Sequence, residues 1–145
     1  MAVDVTVQTV INRPVAAVAS YAADPTNAPE WYANISSVEW RTEPPVALGS
    51  RMDFVANFLG RRLAYTYEVV DLVAGERLVM RTTQGPFAME TTYEWSATDT
   101  GQTSMTLRNR GTPSGFRRIA APVMAAAVRR NTAKDLARLK ELLEG

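Results

Sequence analysis

The chain has 145 residues, 46% of them hydrophobic and 21% charged, with a formal net charge of +1. That length fits a single domain spanning residues 1–145, and the balanced charge supplies no excess of cations for a phosphate backbone, which argues against nucleic acid as a partner. With no Cys and no His, disulfides, thiolate nucleophiles, the usual zinc sites and the commonest general base are excluded.

The N-terminus alternates: Val3, Val5, Val7, Thr9 and Ile11 against Asp4, Thr6 and Gln8. A period of two predicts a half-buried strand and not the basic head and apolar run of a secretion signal, so a cytoplasmic location is the expectation. Asn12 offers an N-cap, with Pro14 at the first turn of a short helix over 14–23 that ends at Asp24-Pro25. A second short helical piece over 26–32 carries Trp31. Six further strands are predicted at 35–42, 50–58, 62–73, 78–83, 87–97 and 103–110. They are separated by Pro44-Pro45 with Gly49, then Gly60, Gly75, Gly85-Pro86 and Asp99-Thr100-Gly101. Connections that short join antiparallel neighbours, because a parallel crossover needs a dozen residues or more. The expected sheet is a curved antiparallel meander of seven strands.

The last third changes period. Phe116, Ile119, Ala120, Val123, Met124, Ala127, Val128, Thr132, Leu136, Leu139 and Leu143 recur at spacings of three and four, which predicts one long amphipathic helix started or kinked at Pro122. Arg130, Lys134 and Arg138 fall on another face, and Lys140 can pair with Glu144 across one turn. The longest near-apolar run, Ile119 to Val128, is about half a membrane span, so no integral membrane segment is expected. Asn34-Ile35-Ser36 matches a glycosylation sequon, read as chance in the absence of a secretion signal.

A single sheet must cover its apolar face, and the C-terminal helix is the one large amphipathic element available. The helix is rich in small residues (Ala120, Ala121, Ala125, Ala126, Ala127, Ala133 and Ala137) and is expected to turn them toward the sheet, leaving space. The sheet offers large ones, among them Trp40, Phe54, Phe58, Tyr65, Tyr67, Met80, Met89, Tyr93, Trp95 and Met105. A filled core and a hollow one both remain open at this point.

Tyr65, Tyr67 and Tyr93 stand at period-two positions, as pocket donors or as core aromatics with their hydroxyls at the rim. Trp31 either flanks an entrance or anchors its helix. Asn109 shares parity with Met105 and Leu107, so it is a polar residue on the inner face that either orients a ligand or makes a strand-end turn contact. Glu68, Glu90 and Glu94 take the opposite parity, as do Arg51 and Asp53 on their strand. They are expected to face solvent, the glutamates pairing across strands with arginines such as Arg62, Arg81 or Arg108. Arg117-Arg118 and Arg129-Arg130 are dense basic pairs, suited to acidic headgroups or to a solvated helix face. No carboxylate cluster has calcium-loop spacing, no nucleophile–base pair is visible, and neither a metal, a cofactor nor a catalytic residue is assigned.

Four stretches carry a family resemblance. They are the opening strand through Ile11-Asn12-Arg13-Pro14, with Val18, Asp24-Pro25 and Trp31; Tyr65-Thr66-Tyr67-Glu68-Val69 leading to Gly75-Glu76-Arg77-Leu78; Gly85-Pro86-Phe87-Ala88-Met89-Glu90 running into Tyr93-Glu94-Trp95; and Asp135-Leu136-Ala137-Arg138-Leu139-Lys140 with Leu143-Glu144. In order and spacing they resemble the polyketide cyclase/dehydrase and lipid-transport superfamily, the START-like or Bet v 1-like domains. The resemblance implies an α+β helix-grip fold in which the curved sheet wraps the long C-terminal helix, with two short helices after strand 1. It also implies a cavity between sheet and helix for an apolar small molecule. The residues expected to line that cavity are Trp31, Trp40, Phe54, Tyr65, Tyr67, Met80, Met89, Tyr93, Asn109, Met124 and Val128. Such folds serve carriers, enzymes and interaction modules alike, so the expected function is binding or carriage of a hydrophobic small molecule. The alternatives are a cyclase- or dehydratase-type enzyme and a protein-interaction module.

Overall fold

The computed structural model describes residues 3–112 and 119–145. Strand β1 (Val3–Ile11) is followed by helix α1 (Val15–Ala22), a 3-10 turn (Pro25–Asn27) and helix α2 (Ala28–Trp31). Strands β2 (Ile35–Trp40), β3 (Arg51–Phe58), β4 (Arg61–Val73), β5 (Arg77–Gln84), β6 (Met89–Ala97) and β7 (Thr103–Gly111) follow, and helix α3 (Ala121–Glu144) closes the described chain. The seven strands form one antiparallel sheet in the order β1-β7-β6-β5-β4-β3-β2. The meander is as expected, and β1 pairs with β7 along its whole length, from Val3 opposite Gly111 to Ile11 opposite Thr103.

Local chemistry explains the bends. Leu59 and Gly60 link β3 to β4 with φ of 51° and 78°, the left-handed pair of a two-residue hairpin turn whose twist matches the strands. Register shifts at Thr83 of β5 opposite Thr66 and Tyr67, in β4 between Val69 and Asp71, and in β2 between Ile35 and Ser37, insert extra residues. Such bulges increase local twist and curl the sheet. Pro122 sits in the first turn of α3, where a missing N–H costs nothing. Asn12 caps nothing: α1 begins after Pro14 without a side-chain cap, and the Asn12 N–H donates instead to Glu144 Oε2 at 2.7 Å. Asp24 is the side chain that caps, accepting from the Thr26 N–H at the 3-10 turn.

Helix α3 runs close along β1 and touches β7, while its backbone stands off from the middle strands β3–β6. It is tied to the free edge of β1 by Arg129 donating to Thr6 O and Lys140 to Val10 O, with Arg13 donating back to Leu143 O. These contacts occupy carbonyls that an uncovered edge would offer to another chain. Lys140 also pairs with Glu144 as expected.

Contrary to expectation, most of the alanines turn away from the sheet. Ala120, Ala121, Ala126, Ala133 and Ala137 are exposed, and only Ala125 and Ala127 are half-buried. The stripe facing the sheet is Met124, Val128, Thr132, Asp135, Leu136 and Leu139, while Val123 is 60% exposed. A turn of 3.6 residues sends the alanines outward once those side chains face in. Phe116 and Arg117-Arg118 lie outside the described residues.

Candidate functional site

The buried apolar residues fall into two groups. The larger includes Ile11, Val18, Trp31, Phe54, Tyr67, Met80, Tyr93, Leu136 and Leu139; the smaller is Val3, Val5 and Met124, with Phe58, Phe87 and Val128 packed against it. Between sheet and helix, walled by members of both groups, lies a partly open pocket of about 150 Å³. An apolar cavity of that size accommodates one benzene ring. It exists because α3 hugs β1 and stands off from the middle strands, and because the α3 residues that cross the gap, Val128, Asn131, Thr132 and Asp135, are short.

Of the residues singled out in the sequence, Phe54, Tyr65, Tyr67, Met80, Met89, Tyr93, Asn109 and Val128 line this pocket. Three do not. Trp31 is 1% exposed and packs beneath Tyr32 and Tyr93, with ring centroids at 4.2 and 5.7 Å, so it anchors its helix. Trp40 lies toward the far edge of the sheet and donates its indole N–H to Thr26 Oγ1. Met124 fills the smaller apolar group against Val3 and Val5.

The aromatic wall is built on alternate residues of β4 with its neighbours. Phe54 stacks on Tyr65 at 5.5 Å and meets Tyr67 edge-on at 5.6 Å. A Cβ on Gly85 would stand 2.8 Å from Tyr65 Cβ, so the close seat of Tyr65 requires glycine there. Burial raises the pKa of all four pocket tyrosines, Tyr67 to about 12, and Tyr32, Tyr65 and Tyr93 move the same way. They are neutral hydroxyls at physiological pH.

A hydrogen-bonded track crosses the pocket from sheet to helix, and its direction follows from counting protons. Thr132 donates to Val128 O at 2.8 Å, so it accepts from Asn109 Nδ2 at 3.0 Å. Asn109 Oδ1 therefore accepts from Thr91 at 2.8 Å, and Tyr67 must donate its hydroxyl to Thr91 at 2.7 Å. Asn109 is thus an inner-face group bonded across the pocket, and among the described residues its side chain makes no strand-end turn contact. Beside the track, the Tyr32 and Tyr93 hydroxyls hydrogen-bond to each other at 2.6 Å, either one able to donate.

Asp135 was not singled out in the sequence. It is 3% exposed and lines the pocket, and its Oδ1 accepts the Ala33 N–H at 3.0 Å. Burial away from water pushes its pKa up to about 7, against the pull of that N–H. Its signal was legible: position 135 is three residues after Thr132 and four before Leu139, on the inward stripe. Tyr32, Thr91 and Thr132 were missed as well, as small or loop-borne polar residues without a motif.

The acidic residues on the opposite parity behave as expected of an outer face: Glu90 pairs with Arg81 as expected, while other pairs differ. Glu90 is held between Arg81 at 2.7 Å and Arg110 at 2.6 Å, and Glu68 by Arg51. Arg108 pairs with Asp4 and not with a glutamate, while Asp53 takes Arg41 and Thr66. Glu94 lies opposite Arg77 in register and stays exposed. Among the described residues no group of three acidic side chains could hold a metal ion, and no helix is long and apolar enough to cross a membrane.

Comparison with known proteins places these observations. Residues 2–144 match the family described as Polyketide cyclase / dehydrase and lipid transport. No protein of curated function matches the sequence. Among solved structures, a START superfamily protein from Mycobacterium smegmatis superposes with a TM-score of 0.84 at 12% identity, covering 97% of each chain. The Zhui aromatase/cyclase from Streptomyces sp. R1128 gives 0.80 at 17% identity, covering 99% of this chain and 94% of that one. The major latex-like protein 151 of Panax ginseng gives 0.77 at 12% identity, covering 99% of both. At such identities the likeness is one of fold.

Proposed function

We propose that this chain, which belongs to the polyketide cyclase / dehydrase and lipid transport family, works as one ligand-binding domain that holds a hydrophobic small molecule between sheet and helix. The observation that carries the reading is the pocket itself. It is walled by Phe54, Tyr65, Met80, Met89 and Tyr93 and crossed by a fully directed polar track. Apolar walls with a few fixed polar groups are the usual composition of a small-molecule site. The neutral tyrosines and the spare Asn109 N–H suit the oxygen atoms of an otherwise apolar guest.

The test is a thermal-shift panel of apolar compounds on the wild-type protein and on Val128→Trp. A guest present at about a hundredfold excess over its Kd stabilises the fold by about 2.7 kcal/mol, a readily measured shift. Val128→Trp fills the pocket, so the shift is expected to vanish while the unliganded protein stays folded. A panel in which nothing stabilises the wild type contradicts the reading.

A second reading, chemistry of the cyclase or dehydratase type, is favoured by one observation. Asp135 titrates near neutrality in the same pocket as the Tyr32–Tyr93 pair, and a group with such a pKa is suited to general acid–base work. Turnover of a polyketide-like substrate that disappears in Asp135→Asn, with binding kept, selects this reading over carriage.

A further inference from the structure

Asp135 is a buried carboxyl group that makes no ion pair among the described residues. Its Oδ1 takes the Ala33 N–H, while Oδ2 has no hydrogen-bond partner among the described residues and borders the pocket. Among the described residues, Arg110 is the arginine of the pocket wall, and it is held by Glu90. Lys134, the neighbour of Asp135 in sequence, is exposed on the outside of the helix. Among the described residues, the Lys134 charge pulls the Asp135 pKa down against the larger effect of burial, and the neutral hydroxyls of Tyr32, Tyr65 and Tyr93 feel the Asp135 charge. A buried charge requires either a partner ion or a proton. Among the described residues no arginine or lysine bonds the carboxylate, and the space next to it is the ligand space.

The walls of that space favour one sign. Aromatic faces attract cations through their negative quadrupole, and Phe54, Tyr65, Tyr67 and Tyr93 all border it. The hydrogen-bond track has a consequence here too. Because Tyr67 donates to Thr91, its phenol oxygen keeps its lone pairs for a donor arriving from the pocket. An ammonium group brings such donors, and a carboxylate brings none.

We propose that the pocket takes a hydrophobic amine, a protonated nitrogen on an aromatic or aliphatic frame, with Asp135 as its counter-ion. This rests on reading the pocket as a ligand site and adds the sign of the guest. Fatty acids and other apolar anions are disfavoured, because they would bury a second negative charge beside the first.

The experiment is calorimetric titration of the wild-type protein with three probes of one frame: 2-phenylethylammonium, 2-phenylethanol and phenylacetate. At about pH 8 the ammonium ion is expected to bind about tenfold or more tighter than the alcohol, with phenylacetate weakest. Lowering the pH to about 5.5 leaves the ammonium charged but protonates Asp135, so the ammonium loses its advantage while the alcohol is unaffected. Asp135→Asn reproduces that loss at about pH 8. The pH series reads the same quantity without any substitution. If the alcohol or phenylacetate binds as tightly as the ammonium ion at the higher pH, the amine assignment is overturned and the pocket stands. If none of the three binds, the ligand-site reading falls with it.

Discussion

Two halves of one interface behave differently. Toward the C-terminus of α3, Leu136 and Leu139 are fully buried against the sheet and α1, and Lys140, Leu143 and Glu144 clamp the helix to β1 and the turn after it. Two turns earlier the same helix, over the same sheet, presents Val128, Asn131, Thr132 and Asp135 to an open space. The closed half is held by branched apolar side chains long enough to reach across. The open half has short or polar side chains, of which Thr132 is met by the track from the strands and Asp135 by the Ala33 N–H. A single helix can thus serve as core on one stretch and as the wall of a site on the next, and side-chain reach decides which.

The largest expected effect comes from the charge held in the open half. The pKa of Asp135 is raised in the fold to about 7 from an ordinary carboxylate value near 3.8, so the folded state holds a proton that the unfolded chain has released. The stability this gives is fully present below the unfolded value and is lost as pH rises through the folded one. Wild type should lose about 4 kcal/mol relative to Asp135→Asn between about pH 3 and pH 9. Denaturant unfolding of both proteins across that range checks it, and parallel curves would mean that Asp135 is not buried as described.

Next comes the closed half. Leu139→Ala removes a fully buried side chain with tightly packed neighbours, and about 3 kcal/mol of stability should go with it. Smallest is the matching change in the open half. Val128→Ala should cost about 1 kcal/mol or less, since part of its surface already faces empty space. Equal costs for the two substitutions, read from urea midpoints, would erase the distinction between the halves.

The strands were legible because alternation survives even where β4 bulges, and the parity that placed Asn109 inward also placed Glu68 and Glu90 outward. The helix face was legible too, but its reading went astray at two points. Alanines fit an inner or an outer face equally well by composition, and only the stripe set by Met124, Thr132, Leu136 and Leu139 decides that they point out. Asp135 was passed over because an acidic residue within Asp-Leu-Ala-Arg looks like part of a solvated face. Its spacing from Thr132 and Leu139 said otherwise. Trp31, Trp40 and Met124 have the size and polarity of pocket residues, and only the three-dimensional path of the chain places them elsewhere. The pocket depends on how α3 sits relative to β1 and the middle strands, which no local pattern records.

The methionines allow the central claim, that a guest enters between α3 and the middle strands, to be tested most directly. Met80 and Met89 line the pocket, whereas Met52, Met105 and Met124 are buried outside it. In a protein labelled at the methionine methyl groups, titration with benzene followed by NMR should shift the Met80 and Met89 signals in a saturable way and leave those of Met52 and Met105 nearly unmoved. Unchanged Met80 and Met89 signals at saturating benzene, or equal shifts at all the buried methionines, would contradict the account.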